Sequence, residues 1–270
     1  MVGGHSVPVE LSGVDCRIIG PGGAMGMRML AVLVLLLVVA GVVAQERPRG
    51  VSVYTWTRED LFAGLLTNDW ERLSAGMKKL DEILRATPGQ VDAVVMKGFG
   101  EVVLAVKSHE SGDRAAFDHQ YQQGVRRLEE AYAAAPKSIG VLAVYGATMA
   151  LLAPRFPAEL QKGAWEKGKL LYEALYREQE TVIDKYPPHM KGEVLGALAD
   201  MEHRLGNTPQ ARAYLTRIVE GMAGTSYQTR AKQWLENPEK ITAKNRMMCL
   251  TCHEPGRLQN RLAELQKTSQ

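Results

Sequence analysis

Near its C-terminus the chain reads Cys249-Leu-Thr-Cys252-His253. Two thiols three residues apart, followed at once by an imidazole, can serve four chemistries. A structural zinc site needs four ligands, and the chain holds no second cysteine pair, only Cys16 far upstream. A thioredoxin-like redox pair belongs in a βαβ unit, and no such alternation surrounds this one. A disulfide between Cys249 and Cys252 suits an exported chain, but it closes a very small loop and gives His253 no task. Covalent haem attachment employs all three residues, and C-x-x-C-H is its signature. On one helical turn both thiols reach the two vinyl groups of a haem, and the next imidazole reaches the iron as proximal ligand. The expectation is one haem c, with Cys249 and Cys252 as thioether residues and His253 on the iron. A haem-free scaffold clipped by the Cys249–Cys252 disulfide is the alternative.

The motif's position narrows the class. Small cytochromes c of the commonest type carry it near the start, with a methionine ligand far downstream, whereas only 17 residues follow His253. Cytochromes c′ carry it late in a helical bundle, and a five-coordinate, gas-binding or peroxidase-like site of that kind stays open. Met247 and Met248 are tethered on the thioether side of the ring, so the distal ligand is unknown. Its candidates are His109, His119, His189 and His203, or a more distant methionine. Arg257 and Arg261 are candidates to pair with haem propionates.

Haem of this type is attached after export, and the N-terminus fits that. Arg28 precedes an apolar run from Met29 to Ala44 that ends in small residues and gives way to Gln45-Glu-Arg-Pro-Arg. This predicts a signal peptide over 25–44, cleaved after Ala44, and a periplasmic or secreted protein. The run is shorter than the roughly 20 residues that span a bilayer, so a membrane would be met only if cleavage failed. Residues 1–24 read as an extension upstream of the true start at Met25 or Met27, and 45–56 as a linker. The small net charge of +3 is interspersed along the chain and gives no reason to expect a nucleic-acid partner. No nucleophile triad, phosphate loop or working carboxylate pair argues for an enzyme. Asp81-Glu82 and Glu129-Glu130 belong to a repeat.

That repeat positions the motif. Gly76-Met-Lys-Lys-Leu80-Asp-Glu-Ile-Leu-Arg-Ala-Thr-Pro88 and Gly124-Val-Arg-Arg-Leu128-Glu-Glu-Ala-Tyr-Ala-Ala-Ala-Pro136 align at an offset of 48, and Gly98 and Gly146 follow ten residues after each proline. Each copy predicts a helix, a proline-marked turn and a second helix whose glycine lets two backbones approach. A further copy has Leu205-Gly206-Asn207 as its turn, with Ala211, Leu215 and Ile218 along the second helix.

On these residues the chain resembles the tetratricopeptide repeat (TPR). Leu142, Tyr145, Gly146 and Met149 fit the first helix; Gly76, Leu80 and Pro88, and Gly124, Leu128 and Pro136, fit the second. The resemblance implies an all-α, TPR-like solenoid over 57–235 and a protein or peptide partner in its groove; with a haem in the same chain, that partner can be a redox protein. It carries no catalytic residues. The 48-residue offset exceeds the usual 34, with 106–119 read as an insertion and the third unit, 162–186, as about two turns longer. Residues 236–270 would form the haem-bearing appendage.

Overall fold

Side-chain caps start the helices. Ser52, Asp69, Asp113, Ser138 and Thr225 each accept a hydrogen bond from the backbone N–H three residues on, which satisfies an orphan donor of the first turn. The computed structural model describes residues 51–238, 246–248 and 260. All of them belong to one of two units of the chain, Arg47–Gln270. The upstream extension and signal expected over 1–44, with Cys16, lie outside the described residues, as do Cys249, Cys252, His253, Arg257 and Arg261.

Among the described residues there are nine α-helices and no strand: α1 Val53–Thr67, α2 Trp70–Ala86, α3 Val91–Glu110, α4 Arg114–Ala134, α5 Ile139–Leu152, α6 Ala158–Gln179, α7 Pro188–Arg204, α8 Thr208–Gly221 and α9 Ser226–Glu236. The fold is all-α. α1 begins at Val53, inside the stretch read as a linker. The tightest packing joins consecutive helices as hairpins, α1 with α2, α3 with α4, α5 with α6 and α7 with α8, and α9 lies on α8. The first helices of neighbouring hairpins also meet, α3 touching both α1 and α5, and α5 touching α7. One continuous apolar core runs through all of them, from Val53 and Leu61 to Tyr227 and Trp234.

Glycines set the closest seams. A Cβ on Gly98 would lie 2.9 Å from the Gly124 carbonyl oxygen, and one on Gly124 would lie 2.9 Å from that of Gly98. The backbones of α3 and α4 therefore touch where the repeat placed its two glycines. Gly206 turns the chain between α7 and α8 at φ +81°, a left-handed conformation that glycine adopts without strain.

Residues 106–119, read as the insertion, are the last turn of α3, a three-residue turn and the start of α4, so the extra length makes that hairpin taller. The taller end is packed. Phe117 is buried and stacks on Tyr121, Phe156 closes on both rings, and Glu110 and Arg114 pair with Arg155 and Glu159 of the next hairpin. One expectation needs correction: the third unit is not singularly long. α6 has 22 residues against 21 in α4, and outruns only α2 with 17 and α8 with 14.

Candidate functional site

Residues 246–248 lead straight into the cysteine motif, and they are seated on the helices. Met247 and Met248 are buried as deeply as the helix core. The seat is made by α5 and α7. α7 is apolar around its second half, Val194-Leu-Gly-Ala-Leu-Ala, and Gly196 within it has no side chain to stand between the helix and another backbone. A Cβ there would lie 3.2 Å from Met247 Cβ and 3.3 Å from its carbonyl oxygen. One turn further on, the buried Asp200 carboxylate accepts the Met247 backbone N–H at 3.3 Å through one oxygen and the Arg204 Nε at 2.6 Å through the other. Arg246 reaches the opposite way and donates to the Leu151 carbonyl at 3.1 Å, at the C-terminal end of α5 where helix carbonyls lack partners.

The electrostatics follow from that burial. Burial pushes the Asp200 carboxyl above its ordinary value, while Arg204, the Met247 N–H and Arg246 pull it back. An isolated carboxylate would be costly here, and it is tolerated because a guanidinium and an amide engage its oxygens. His203, in the last turn of α7, is half-buried with its ring 5.6 Å from that of Trp234. Burial, then the neighbouring Arg204, hold its imidazole below the ordinary value, which favours the neutral ring that a metal requires. Beside it Arg204 lies over the Trp165 ring at 5.7 Å. The indole N–H groups of Trp165 and Trp234 are buried and have no acceptor among the described residues.

The other candidate histidines do not gather. His109 ends α3 with its ring 5.4 Å from Phe117, and His119 is exposed on α4. His189 is exposed at the start of α7, with Nδ1 3.3 Å from the Tyr227 hydroxyl. Among the described residues no group of three or more histidines, cysteines or carboxylates could hold a metal ion. A cleft of about 430 Å³ beside α6 and the α7–α8 turn is lined by Lys169, Glu173, Glu202 and Asn207. Its carboxylates are already engaged, Glu202 by Lys169 at 3.0 Å and by Asn207 at 3.0 Å.

Sequence reasoning passed over Gly196, Asp200 and Arg246. The available signal was Asp200 itself, a carboxylate set inside an apolar helical run. Comparison with protein-family models, curated proteins and solved structures finds no match to this chain. No helix among the described residues is long and apolar enough to cross a membrane.

Proposed function

We propose that the chain is an exported, TPR-like repeat protein that carries one covalent haem c at its C-terminal end, bound by Cys249, Cys252 and His253, and exchanges single electrons with a docked partner. The observation that carries this is the seating of Arg246–Met248. The residue before Cys249 is buried at 2% exposure, so the motif starts from a fixed point on the helices and not from a free tail. A haem is useful for electron exchange when its distance from a partner is set by the protein, and an anchored attachment point supplies that.

The donor set fits a c-type haem by its chemistry: two thiols and an imidazole at the required spacing. When bound, the haem supplies reversible one-electron chemistry. Of the four distal candidates His203 is favoured, because it lies one helical turn from Asp200, which holds the Met247 amide, and its ring is held neutral.

The TPR-like reading is supported by a recurrence along the second helices. A small residue is followed four positions later by a buried large one in Gly76–Leu80, Gly124–Leu128, Gly168–Tyr172 and Ala211–Leu215. Neighbouring first helices, α1, α3, α5 and α7, pack in succession, as stacked repeats require. Export rests on the Met29–Ala44 run and on the need for haem attachment outside the cytoplasm.

The test is a visible spectrum, oxidised and reduced, of full chain produced with a cytochrome c maturation system. The expected result is covalent haem that survives denaturation and is lost in Cys249→Ser. A colourless chain whose fold survives the double serine variant would overturn the haem assignment and leave the disulfide-clipped scaffold. Carbon monoxide separates the haem classes. A six-coordinate site closed by His203 resists it and opens in His203→Ala, whereas a wild type that already binds it is five-coordinate.

A further inference from the structure

The segment on α5 and α7 has the attributes of a bound ligand. It covers an apolar stretch of α7, it places a main-chain amide on a buried carboxylate, and it places a guanidinium on a helix-end carbonyl. Its backbone approaches α7 where the helix has a glycine. Apolar burial, a directional polar contact and an opening sized for a backbone are what peptide-recognition surfaces provide. Here the occupant is part of the same chain.

We propose that α5 and α7 form a receptor for the chain's own residues 246–248, with Asp200 and Gly196 as positioning residues for the segment that ends one residue before Cys249. This deepens the haem reading and rests on it only for the haem. Two consequences follow. While the segment is seated, the α5–α7 stretch is closed to a partner peptide, so docking falls to the rest of the helical face. In addition, the seat fixes the residue that precedes the haem-attachment motif, and so bears on haem burial, one of the levers that set a haem's potential.

The seat depends on polar geometry at Asp200 and on space at Gly196, and the two can be varied separately. Asn at position 200 leaves one acceptor oxygen for two donors, the Met247 N–H and the Arg204 Nε, whereas Gly196→Leu fills the space its backbone occupies. Gly196→Ala is the milder form. It adds helix propensity to α7, so the hairpins are not weakened, yet its Cβ crowds the Met247 backbone. Trypsin provides a direct readout, because it takes the Arg246 side chain into its own pocket and that side chain must first leave Leu151.

The experiment uses haem-loaded full chain and follows the peptide beginning at Met247 by mass spectrometry, with the haem midpoint potential and the helical circular dichroism measured alongside. In Gly196→Leu, cleavage after Arg246 is expected to rise by about tenfold or more, as for a segment whose local opening has become easy. The potential should fall as the haem meets solvent, with helix content kept. Gly196→Ala and Asp200→Asn should each move both in the same direction by less. Equal cleavage and equal potential in wild type and Gly196→Leu would overturn the receptor. If Gly196→Leu fails to fold, Gly196→Ala decides by the same criteria. Were the wild type to carry no haem, the function would fail while cleavage of the haem-free chain still judged the seat.

Discussion

The seam between α3 and α4 and the seat of Arg246–Met248 on α7 use the same device at different scales. In both, a helical glycine removes the one atom that would keep two backbones apart: Gly98 admits the Gly124 carbonyl and Gly196 admits the backbone of Met247. At the seam each partner is a helix of 20 residues or more, and the contact lies in the middle of the core. At the seat the partner is a short stretch of chain, fixed by one amide, one guanidinium and two buried methionines. The seam builds the fold, and disturbing it disturbs everything stacked on it. The seat positions a tail, and disturbing it leaves the hairpins in place.

The largest effect expected is at the seam. In Gly124→Ala the new Cβ would sit 2.6 Å from a Val102 methyl, 2.9 Å from the Gly98 carbonyl oxygen and 3.0 Å from the Val102 amide nitrogen. Neither backbone atom can move without moving α3. Overpacking of this kind costs about 1–3 kcal/mol or more, and the gain of about 1 kcal/mol in helix propensity offsets only part of it. Thermal unfolding should show a midpoint lower by several degrees, roughly 4–8 °C for a net loss of 2 kcal/mol in a chain of this size. An unchanged midpoint would mean that the two helices are not pressed together as described.

Second in size is Met247→Ala, which probes the seat. The side chain is fully buried, and its removal should weaken docking by roughly 2 kcal/mol through lost burial and an incompletely closed cavity. Because the cost falls on a locally opening segment, the hairpin midpoint should hardly change. Hydrogen exchange at the Met247 amide, which is bonded to Asp200, should become much faster. A fall in global stability as large as that of Gly124→Ala would erase the distinction between seam and seat.

The two regions also differ in how far they could be read from sequence. Gly76, Leu80, Gly124 and Leu128 were found from one pairwise pattern, and each lies buried at a helix contact. The pattern is legible because a turn proline and a contact glycine are local requirements that recur with each hairpin. In the third unit, 162–186, Gly168 and Tyr172 keep the small-then-large pair, but Glu180, and not a proline, stands twelve residues after Gly168. The insertion at 106–119 shows in sequence as extra length, but length added to two facing helices does not announce its helical form. The seat was not legible. Asp200 and Met247 are 47 residues apart, a three-residue docked segment has no period, and nothing in Arg246-Met-Met announces a partner. The cysteine motif was read from its spacing alone, and its three residues lie outside those described.

Gly163→Ala separates glycine as a contact from glycine as a weak point. Gly163 is inside α6, but a Cβ there would meet nothing within 4 Å. With no steric cost, only the propensity gain remains, and stability should rise by about 0.5–1 kcal/mol in chemical denaturation. A loss there comparable to that of Gly124→Ala would show that any helical glycine is sensitive, and that close approach is not what marks the seam.

The smallest effect is in pH dependence, and it belongs to the seat. Burial and Arg204 hold the His203 imidazole below its ordinary value of 6.5, so folding favours the neutral ring. A base whose folded value is depressed contributes stability above its unfolded value and loses it as pH falls, because the unfolded chain takes up the proton more readily. Asp200 has the opposite sense. Its carboxyl is raised by burial above 3.8, so its contribution is complete at low pH and declines as pH rises through the folded value. The two groups are one turn apart on α7 and act in opposite senses, His203 favouring higher pH and Asp200 lower. In haem-free protein, His203→Gln should flatten the decline in stability below about pH 6.5 while leaving stability near pH 8 almost unaltered. A wild-type profile that is flat between pH 8 and 5.5 would mean that His203 is exposed enough to titrate normally, and would remove the main reason for preferring it over His109, His119 and His189 as the residue facing the iron.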